Sequence, residues 1–304
     1  MYNSFIIIVT YNAMNWLSKC LNICKDYPVV VIDNASTDET VTYIKKQFPK
    51  VHLIPQSKNL GFGQANNLGI RYALNNGADY VFLLNQDAYL QGECINQLIK
   101  IHQNNPEFGI LSPIHLNGKG DKLDENFSNY ITYKHNADFY SDFVLEKPLS
   151  EVYEVPFVNA AGWLLPKKSL ETVGGFDPIF FHYGEDNNYC QRITYHGFKI
   201  GVVPTSFLRH DREDRQVAAI DSPYNLQKQE RKLKNIYSDV NKDNFQDLEH
   251  LIKKRKQTSI KLLLKLSFSK YKILLKDISQ LENILKEVKI SHEKNRIKGS
   301  HYLD

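Results

Sequence analysis

Short runs of apolar residues alternate with helical patterns through the first part of the chain. The runs 5–9, 29–32 and 80–84 are uninterrupted, the run 51–54 is broken only by His52, and β-branched residues are frequent among them, as expected of strands buried on both faces of a sheet. Between them, apolar residues recur at helical spacing, for example at 16, 17, 20, 21 and 24. This order predicts an α/β fold of the Rossmann-like type, with a mostly parallel sheet flanked by helices.

The hydrophobic pattern changes twice further along the chain. Residues 112–155 are polar, aromatic and weakly periodic, which predicts loops or an irregular excursion beside a ligand cleft. Regular patterning resumes at 155–165 and continues to about His210, and beyond 225 the chain becomes helical and basic. We therefore predict two domains: 1–225 with the α/β fold, and 226–304 as a helical C-terminal extension.

From Leu264 the extension carries an apolar repeat of seven residues, which we call the seam. Its two interleaved sets are Leu264, Tyr271, Ile278 and Leu285, and Ser267, Leu274, Leu281 and Val288. A seam of about three and a half heptads is short for an isolated coiled coil, but it suffices if the helix also packs elsewhere on the chain. The seam predicts a homodimer joined at the extension, with packing inside one chain as the alternative.

Charge is distributed unevenly between the two predicted domains. Residues 226–298 carry 19 Lys and Arg against 9 Asp and Glu, a balance of +10, whereas the whole chain has a net charge of +4. The remainder of the chain is therefore at −6. A basic extension on an acidic body favours contact with an anionic surface such as a membrane. It argues against nucleic acid as a partner, because the body that would dock on it is acidic.

The sequence lacks the signals of export and of membrane insertion. The apolar run 5–9 is too short for a secretory signal and has no basic flank, and no stretch approaches the roughly 18 apolar residues of a spanning helix. Four cysteines are too few for a disulfide framework, and they lack the spacing of a zinc site. We expect a cytoplasmic protein with peripheral contact at the inner face of the cell membrane.

Four polar segments follow predicted strands or lead into a helix: 10–12, 33–38, 59–67 and 85–87. Ligands of such sheets bind beyond the carboxyl ends of the strands. An acidic residue there can accept hydrogen bonds from a ribose or a base, a glycine such as Gly61 allows close approach of the backbone, and Asp87 suits Mg²⁺ or Mn²⁺. Each segment alone also fits a turn or a helix cap, as Asp33 does. Together they favour a site for a nucleoside-diphosphate sugar.

These segments resemble glycosyltransferase family 2, the inverting enzymes of the GT-A fold, and most of all its branch of bacterial rhamnosyltransferases and related polysaccharide-assembly enzymes. The resemblance is carried by IIIVTYN, VVVIDNASTDET, NLGFGQANNLGI, VFLLNQDA, NAAGWLLPKKSLETVGGFDPIFFHYGEDNNYCQR and the pair RH. These strings extend over about two thirds of the chain. One position departs from the family pattern: the metal motif Asp-x-Asp is Asn85-Gln86-Asp87 here, so metal binding would rest chiefly on Asp87.

The resemblance implies an inverting transfer from a UDP- or dTDP-sugar, with dTDP-rhamnose as one candidate, to a glycan or lipid-linked saccharide in bacterial surface polysaccharide assembly. It implies a donor pocket built from Thr10, Tyr11, Asn12, Asp33, Asn59, Gly61, Asn66, Asn85 and Gln86. It assigns Mn²⁺ or Mg²⁺ to Asp87 and His210, and it makes Asp186 the general base, with Glu185 as a helper or acceptor contact.

The chemistry of inversion supports one carboxylate as the base. A single in-line displacement needs a group that takes the proton of the acceptor hydroxyl. Because Glu185 and Asp186 are adjacent, their side chains point to different sides, and only one should face the substrate. Both acids also fit the N-terminal end of a helix. For His210, imidazole is a suitable ligand of Mn²⁺-like ions, and a surface histidine beside Asp211 is the alternative.

Aromatic residues near the predicted base are candidates for contact with the acceptor. We expect Trp163 and Tyr183 on the acceptor side, because aromatic faces stack on sugars. Core packing is the alternative for Phe176 and Phe180 in the same aromatic segment.

Two other functions stay open at this point. A sugar nucleotidyltransferase shares the α/β core, but it needs a glycine-rich loop with a basic residue after the first strand, and residues 10–13 contain neither. A non-catalytic, membrane-bound nucleotide-sugar-binding scaffold would have no use for a complete set of Asp33, Asp87 and Asp186.

Overall fold

The computed structural model describes residues 2–212 and 222–303. These residues form two compact units. The first contains the described residues up to Arg212 together with 298–303, and the second contains the described residues from Ser222 to Ile297. The second unit therefore differs from the predicted extension 226–304 at its C-terminal end, because the last residues of the chain pack with the first unit.

Strands and helices alternate along the first unit, and helices alone form the second. The strands are β1 (Ser4–Thr10), β2 (Val29–Asp33), β3 (His52–Pro55), β4 (Tyr80–Asn85), β5 (Ala88–Leu90), β6 (Phe108–Asn117), β7 (Tyr153–Glu154), β8 (Gly162–Pro166) and β9 (Lys199–His210). The helices are α1 (Leu17–Ile23), α2 (Thr40–Gln47), α3 (Phe62–Asn75), α4 (Cys94–Asn104), α5 (Glu125–Ser128), α6 (Ala137–Val144), α7 (Lys167–Val173), α8 (Glu185–Tyr195), α9 (Ser222–Tyr237), α10 (Phe245–Leu264) and α11 (Phe268–Asn295).

One sheet runs through the first unit in the order β3-β2-β1-β4-β8-β6-β9-β5, and β7 pairs with β9. The first four strands of this order are parallel to one another, as predicted. β8 runs antiparallel to both β4 and β6, so the sheet is mixed rather than mostly parallel. A buried apolar run has the same pattern in either direction, which is why the sequence pattern did not reveal the reversal.

The core lies on both faces of this sheet. Along β1, Ile7 belongs to one buried cluster, whereas Ile6 and Ile8 belong to the other. On β4, Leu83 and Phe82 divide in the same way. Because neighbouring side chains of a strand point to opposite faces, a strand covered on both sides must be apolar throughout. The continuous runs of the sequence therefore correspond to central strands.

Residues 112–155 contain more regular structure than predicted. β6 continues to Asn117, and two short helices follow, α5 and α6. Within the outer half of β6, Ser112 and His115 are fully buried, and Ser112 Oγ lies 3.0 Å from His115 Nε2. Because buried polar residues such as these interrupt the apolar run, the sequence pattern did not predict this part of the strand.

Four of the eight seam residues are buried in the second unit. Ile278, Leu281 and Val288 of α11 are buried, and the last two pack in one cluster with Leu248 and Ile252 of α10. This arrangement corresponds to the predicted alternative of packing inside one chain. Among the helices described, none is long and apolar enough to cross a membrane.

Candidate active site

The carboxyl ends of β1 and β2 lie side by side and share a hydrogen bond. Thr10 and Asp33 are partners in the strand register, and the Thr10 hydroxyl donates to Asp33 Oδ1 at 3.1 Å. Asp33 also accepts the Ser36 N–H at 3.0 Å and the Ser36 hydroxyl at 2.5 Å. A carboxylate offers about four acceptor positions, so one remains for a ribose hydroxyl or a base N–H.

The loops after β1 and β2 hold one another in uncommon backbone conformations. Asn12 and Ala35 have φ values of 49° and 66°, in the left-handed region that few non-glycine residues adopt and that asparagine enters more readily than alanine. The Asn12 N–H donates to Ser36 Oγ at 2.9 Å, and Asn12 Oδ1 accepts the Thr37 N–H at 2.9 Å. The predicted donor residues therefore lie on two mutually supported loops.

A third loop is attached to these two through Asn34. Its amide donates to Asn59 Oδ1 at 2.9 Å and to the Gly61 carbonyl at 3.2 Å, and it accepts the Leu60 N–H at 2.7 Å. Gly61 has a φ of 80°, and a Cβ atom at this position would lie 1.8 Å from the Phe181 carbonyl oxygen. Only glycine fits where the backbone enters α3 this close to the segment that precedes α8.

Two of the predicted donor residues use their side chains within the protein. Gln86 accepts the Tyr11 N–H at 2.8 Å and donates to the Tyr11 carbonyl at 3.3 Å. Asn66 is buried and donates to the Phe62 carbonyl of its own helix at 3.0 Å. Both side chains shape the pocket, and direct contact of either with a donor stays a prediction.

Asp87 and His210, the two predicted metal ligands, lie together although 123 residues separate them in the chain. Asp87 falls between β4 and β5, and His210 ends β9 as the register partner of Ala88. His210 Nε2 lies 3.4 Å from Asp87 Oδ1 and 3.4 Å from Asn85 Nδ2, and both Asp87 and His210 are buried. Asn85 Oδ1 is buried without a hydrogen-bond partner among the described residues. A carboxylate, an imidazole and an unsatisfied amide oxygen thus converge at the end of β4.

The described residues contain no group of three or more His, Cys, Asp or Glu side chains arranged to hold a metal ion. The protein alone therefore offers an incomplete ligand set at Asp87 and His210. A metal bound here would need further oxygen ligands, and a diphosphate could supply them.

Asp124 lies behind His210, on the side away from Asp87. Its Oδ2 is 4.0 Å from His210 Nδ1 and 2.8 Å from Arg212 Nε, and its Oδ1 caps α5 by accepting the Phe127 N–H at 2.9 Å. Carboxylates in this position orient metal-binding histidines in many proteins. Asp124 could not be singled out from the sequence, because it falls in the weakly periodic middle of the chain.

Glu185 and Asp186 open α8 and point to different environments, as predicted for adjacent acids. Glu185 is buried, and its Cβ lies 3.4 Å from the position of a Cβ atom on Gly63. Asp186 is half-buried and accepts the Asn187 N–H at 2.8 Å. Burial raises the pKa of Asp186 above its ordinary value, while backbone N–H groups and the Arg212 charge act in the opposite direction.

Arg212 connects the predicted base to the predicted metal ligands. It is paired with Asp124, which faces His210, and its charge also acts on the pKa of Asp186. Tyr130 belongs to the same neighbourhood: burial, followed by the charge of Asp186, raises its pKa to about 12. The residues assigned to proton transfer and to metal binding therefore share one electrostatic environment.

The structure corrects the prediction for Trp163. Its side chain is fully buried in β8 and stacks on Phe176, with ring centroids 6.0 Å apart, so it belongs to the core and offers no surface to an acceptor. Phe176 and Phe180 are buried as well. Tyr183 is 54% exposed and has a φ of 65° directly before α8, so its acceptor role stays a prediction.

Comparison with known proteins gives consistent matches. The family model described as Glycosyl transferase family 2 matches residues 5–174. The chain is 28% identical over 222 residues to the dTDP-rhamnosyl transferase RfbF of Shigella flexneri, covering 71% of each chain. It is 26% identical over 232 residues to the N-acetylglucosaminyl-diphospho-decaprenol L-rhamnosyltransferase of Mycobacterium tuberculosis, covering 68% of this chain and 75% of that one.

A solved structure extends the comparison to the fold. GalNAc-T7, crystallised with UDP, GalNAc and Mn²⁺, aligns with a TM-score of 0.62 at 18% identity, over 85% of this chain and 51% of that chain. This likeness confirms the predicted α/β fold of GT-A type.

Proposed function

The chain belongs to glycosyl transferase family 2 and is a glycosyltransferase, and from this premise we propose its reaction. We propose an inverting transfer of a sugar from a UDP- or dTDP-sugar to a glycan or lipid-linked saccharide. Bacterial surface polysaccharide assembly is the process that we propose it serves. One observation carries this proposal most directly: the acids and the histidine predicted from distant parts of the sequence lie in one electrostatic environment at the carboxyl end of the sheet.

The donor pocket is supported by the three linked loops after β1, after β2 and before α3. Asp33 keeps acceptor capacity at the end of β2, and Asn34 holds Asn59 and Gly61 beside it. Two relatives are named as rhamnosyl transferases, and the name of one specifies dTDP. We therefore propose dTDP-rhamnose as the first donor to test, followed by UDP-hexoses.

We propose that Asp87 and His210 hold a divalent metal together with the diphosphate of the donor. The unsatisfied Asn85 Oδ1 beside them adds an oxygen that a cation can accept as ligand, so the residues fit the group. Mn²⁺ or Mg²⁺ would supply positive charge against the departing nucleoside diphosphate. The solved structure with Mn²⁺ and UDP is that of a protein with the same fold, and this likeness supports the proposal.

We propose Asp186 as the group that takes the proton of the acceptor hydroxyl. Its carboxylate is half-buried and reachable, whereas Glu185 is buried against Gly63. Hydrogen bonds from the first turn of α8 hold Asp186 in place. A raised pKa brings the carboxylate closer to the basicity that proton transfer at neutral pH requires.

Three further proposals concern contact with the acceptor sugar, contact with the membrane and dimerisation. Tyr183, exposed at the entry to α8, is the aromatic residue that we propose for contact with the acceptor sugar. We also propose peripheral contact with the inner face of the cell membrane and a homodimer, and we expect the basic second unit to make both contacts. Half of the seam is buried within one chain, so a dimer would need the residues of that unit that stay exposed.

Release of nucleoside diphosphate from a panel of nucleotide sugars tests the proposed function. We expect slow hydrolysis of one dTDP- or UDP-sugar in the presence of Mn²⁺, with accelerated turnover when a saccharide acceptor is added. A sugar nucleotidyltransferase would instead release pyrophosphate from a nucleoside triphosphate and a sugar phosphate, and a non-catalytic scaffold would bind nucleotide without turnover. Either outcome would contradict the proposal.

A further inference from the structure

The turn between α10 and α11 exposes a group of large apolar side chains, which we call the hairpin tip. Its members are Ile260, Leu263, Leu264, Leu266 and Phe268, which are 59%, 42%, 78%, 72% and 54% exposed. On α10, the first three are spaced as i, i+3 and i+4 and so share one helix face. Exposed apolar groups of this size in soluble units mark interaction sites.

The turn itself holds one of these side chains outward at a conformational cost. Leu266 has a φ of 53°, and non-glycine residues in this region are strained. The first turn of α11 does not cover the tip, because the first buried residues of that helix are Leu274 and Ile278 further along. The hairpin tip is therefore an apolar surface that the second unit leaves uncovered.

The charge around the hairpin tip is of one sign. Residues 250–276 contain nine Lys and Arg and no Asp or Glu. Arg255 and Lys256 pair with carboxylates of α11, at 3.4 and 2.6 Å. The others are exposed and have no carboxylate at ion-pair distance among the described residues: Lys253, Lys254, Lys261, Lys265, Lys270, Lys272 and Lys276.

We propose that the hairpin tip inserts into the surface of an anionic lipid bilayer, with these seven lysines against the headgroups. Leucine and phenylalanine on one helix face, with lysine on the adjacent face, is the composition of helices that lie in a membrane interface. A second copy of the chain is disfavoured as the occupant, because the same lysines would repel their counterparts across an interface. This inference does not depend on the proposed enzymatic reaction.

Vesicle binding of the full chain tests the proposal. We expect co-sedimentation with phosphatidylcholine vesicles only when phosphatidylglycerol is included, and loss of binding at high salt. The triple variant Leu264→Gln, Leu266→Gln, Phe268→Gln should bind at least about tenfold more weakly. Ile290→Gln, a substitution of an apolar residue 58% exposed elsewhere on α11, is the matched control and should bind as the wild type does.

Further variants distinguish insertion of apolar side chains into the bilayer from electrostatic attraction of the lysines and from dimerisation of the chain. Each lysine-to-glutamine substitution at Lys261 or Lys265 should weaken binding about fivefold, because each basic residue near an anionic surface contributes about that much. Phe268→Trp should show a blue shift of its emission and quenching by brominated lipid. Binding of the triple variant equal to that of the wild type would overturn the proposal. The proposal would also be overturned if the wild type did not bind vesicles and formed a dimer by light scattering, and if the triple variant were a monomer.

A second inference comes from the last residues of the chain, 298–303, which we call the C-terminal strap. The Gly299 N–H donates to the Thr172 carbonyl at 2.9 Å, and the His301 carbonyl accepts the Gly175 N–H at 2.8 Å. The Tyr302 hydroxyl donates to Asp177 Oδ2 at 3.1 Å. The strap is thus hydrogen-bonded to the turn 173–177, which lies before α8 in the chain.

The same turn is held from the other side by α8. Arg192 is fully buried, and its guanidinium donates to the carbonyls of Val173 and Gly175. Its guanidinium carbon lies 5.4 Å from the centroid of the Tyr302 ring. The strap, the turn 173–177 and α8 therefore form one hydrogen-bonded structure, and α8 carries Asp186 in its first turn.

We propose that Tyr302 is a positioning residue for Asp186, an inference that rests on the proposed function. Tyr302→Phe keeps the ring beside Arg192 but loses the bond to Asp177, and it should lower kcat about two- to tenfold. Tyr302→Ala should lower kcat further, while the Kd for nucleotide changes less than about twofold in both variants. Tyr133→Phe, at a tyrosine 66% exposed, is the control.

The split between kcat and Kd distinguishes positioning from a general contribution to the fold. Wild-type kcat in Tyr302→Ala would overturn the proposal, as would equal losses in kcat and in nucleotide binding. If Asp186→Asn retains wild-type turnover, the assignment of Asp186 as the base fails, whereas a wild type that turns over no nucleotide sugar contradicts the proposed function itself.

Discussion

Replacing Asp186 with Asn removes the proposed base but keeps the shape of the first turn of α8. The Asn187 N–H that now donates to Asp186 Oδ1 at 2.8 Å can donate to the amide oxygen instead. A removed general base lowers the rate by about 10²–10⁴-fold, which corresponds to about 3–5 kcal/mol of transition-state stabilisation. We expect a loss of at least about 100-fold in kcat with little change in the Kd for nucleotide.

The pH dependence of the wild type gives the same test a second readout. Because burial raises the pKa of Asp186, the carboxylate is protonated at a higher pH than an ordinary aspartate. The activity of the wild type should fall as the pH drops through this raised pKa, so the midpoint of the acidic limb should lie above 3.8. The residual activity of Asp186→Asn should lack this limb.

Nucleoside diphosphate release, followed at saturating donor over a range of pH, measures both quantities. Glu185→Gln is the matched control, since it neutralises the neighbouring acid that is buried against Gly63. Near-normal turnover in Asp186→Asn together with abolished turnover in Glu185→Gln would show that the wrong carboxylate has been assigned.

Three further predictions address the metal and the loops. Asp87→Ala should abolish activity and metal-dependent nucleotide binding, and His210→Ala should weaken metal binding less; full activity in excess EDTA would contradict both. Asp124→Asn, which can still cap α5, should weaken Mn²⁺ binding by about 10–100-fold in a titration with nucleotide present, whereas the exposed neighbour Asp121→Asn should not. Gly61→Ala should lower the free energy of unfolding in urea by about 1–3 kcal/mol more than Gly197→Ala, which has a similar φ but open space around it; equal losses would remove the argument from Phe181.

The strand–helix order of the first half was predictable because the central strands are buried on both faces. Residues 29–33, for example, are all buried, and the first four of them form an uninterrupted apolar run in the sequence. The start of α3 at Phe62 was less predictable, because the loop before it ends with the Gly61 N–H donating to Asn59 Oδ1 at 2.8 Å, a hydrogen bond that a hydrophobic pattern does not record.

The candidate site divides along the same line. Thr10, Asp33 and Asp87 could be identified because each ends or directly follows a strand in the sequence, and strand ends meet at one edge of the sheet. Asp124 and Arg212 could not, because their contacts with His210 and with each other arise only where the tertiary fold brings the residue before α5 to the end of β9. The prediction for Trp163 was wrong because residue type alone does not distinguish an aromatic side chain that packs in the core from one that stacks on a sugar.

The final residues of the chain show the limit of reasoning from composition. Residues 226–304 form one basic, helical stretch in the sequence, but Tyr302 and Leu303 pack with the first unit. Removing everything after residue 225 would therefore remove the C-terminal strap with the second unit. Variants in the full chain separate the two contributions.

Binding of dTDP and UDP to the wild type and to Asp87→Ala, measured by titration calorimetry with Mn²⁺ and with EDTA, tests the proposed metal-assisted site most directly. We expect that the wild type binds at least one of the two nucleotides with Mn²⁺ present, that EDTA weakens this binding, and that Asp87→Ala binds equally weakly in both conditions. Nucleotide binding by the wild type that is the same with Mn²⁺ and with EDTA, or that Asp87→Ala leaves unchanged, would contradict a metal-assisted nucleotide-sugar site at the end of β4.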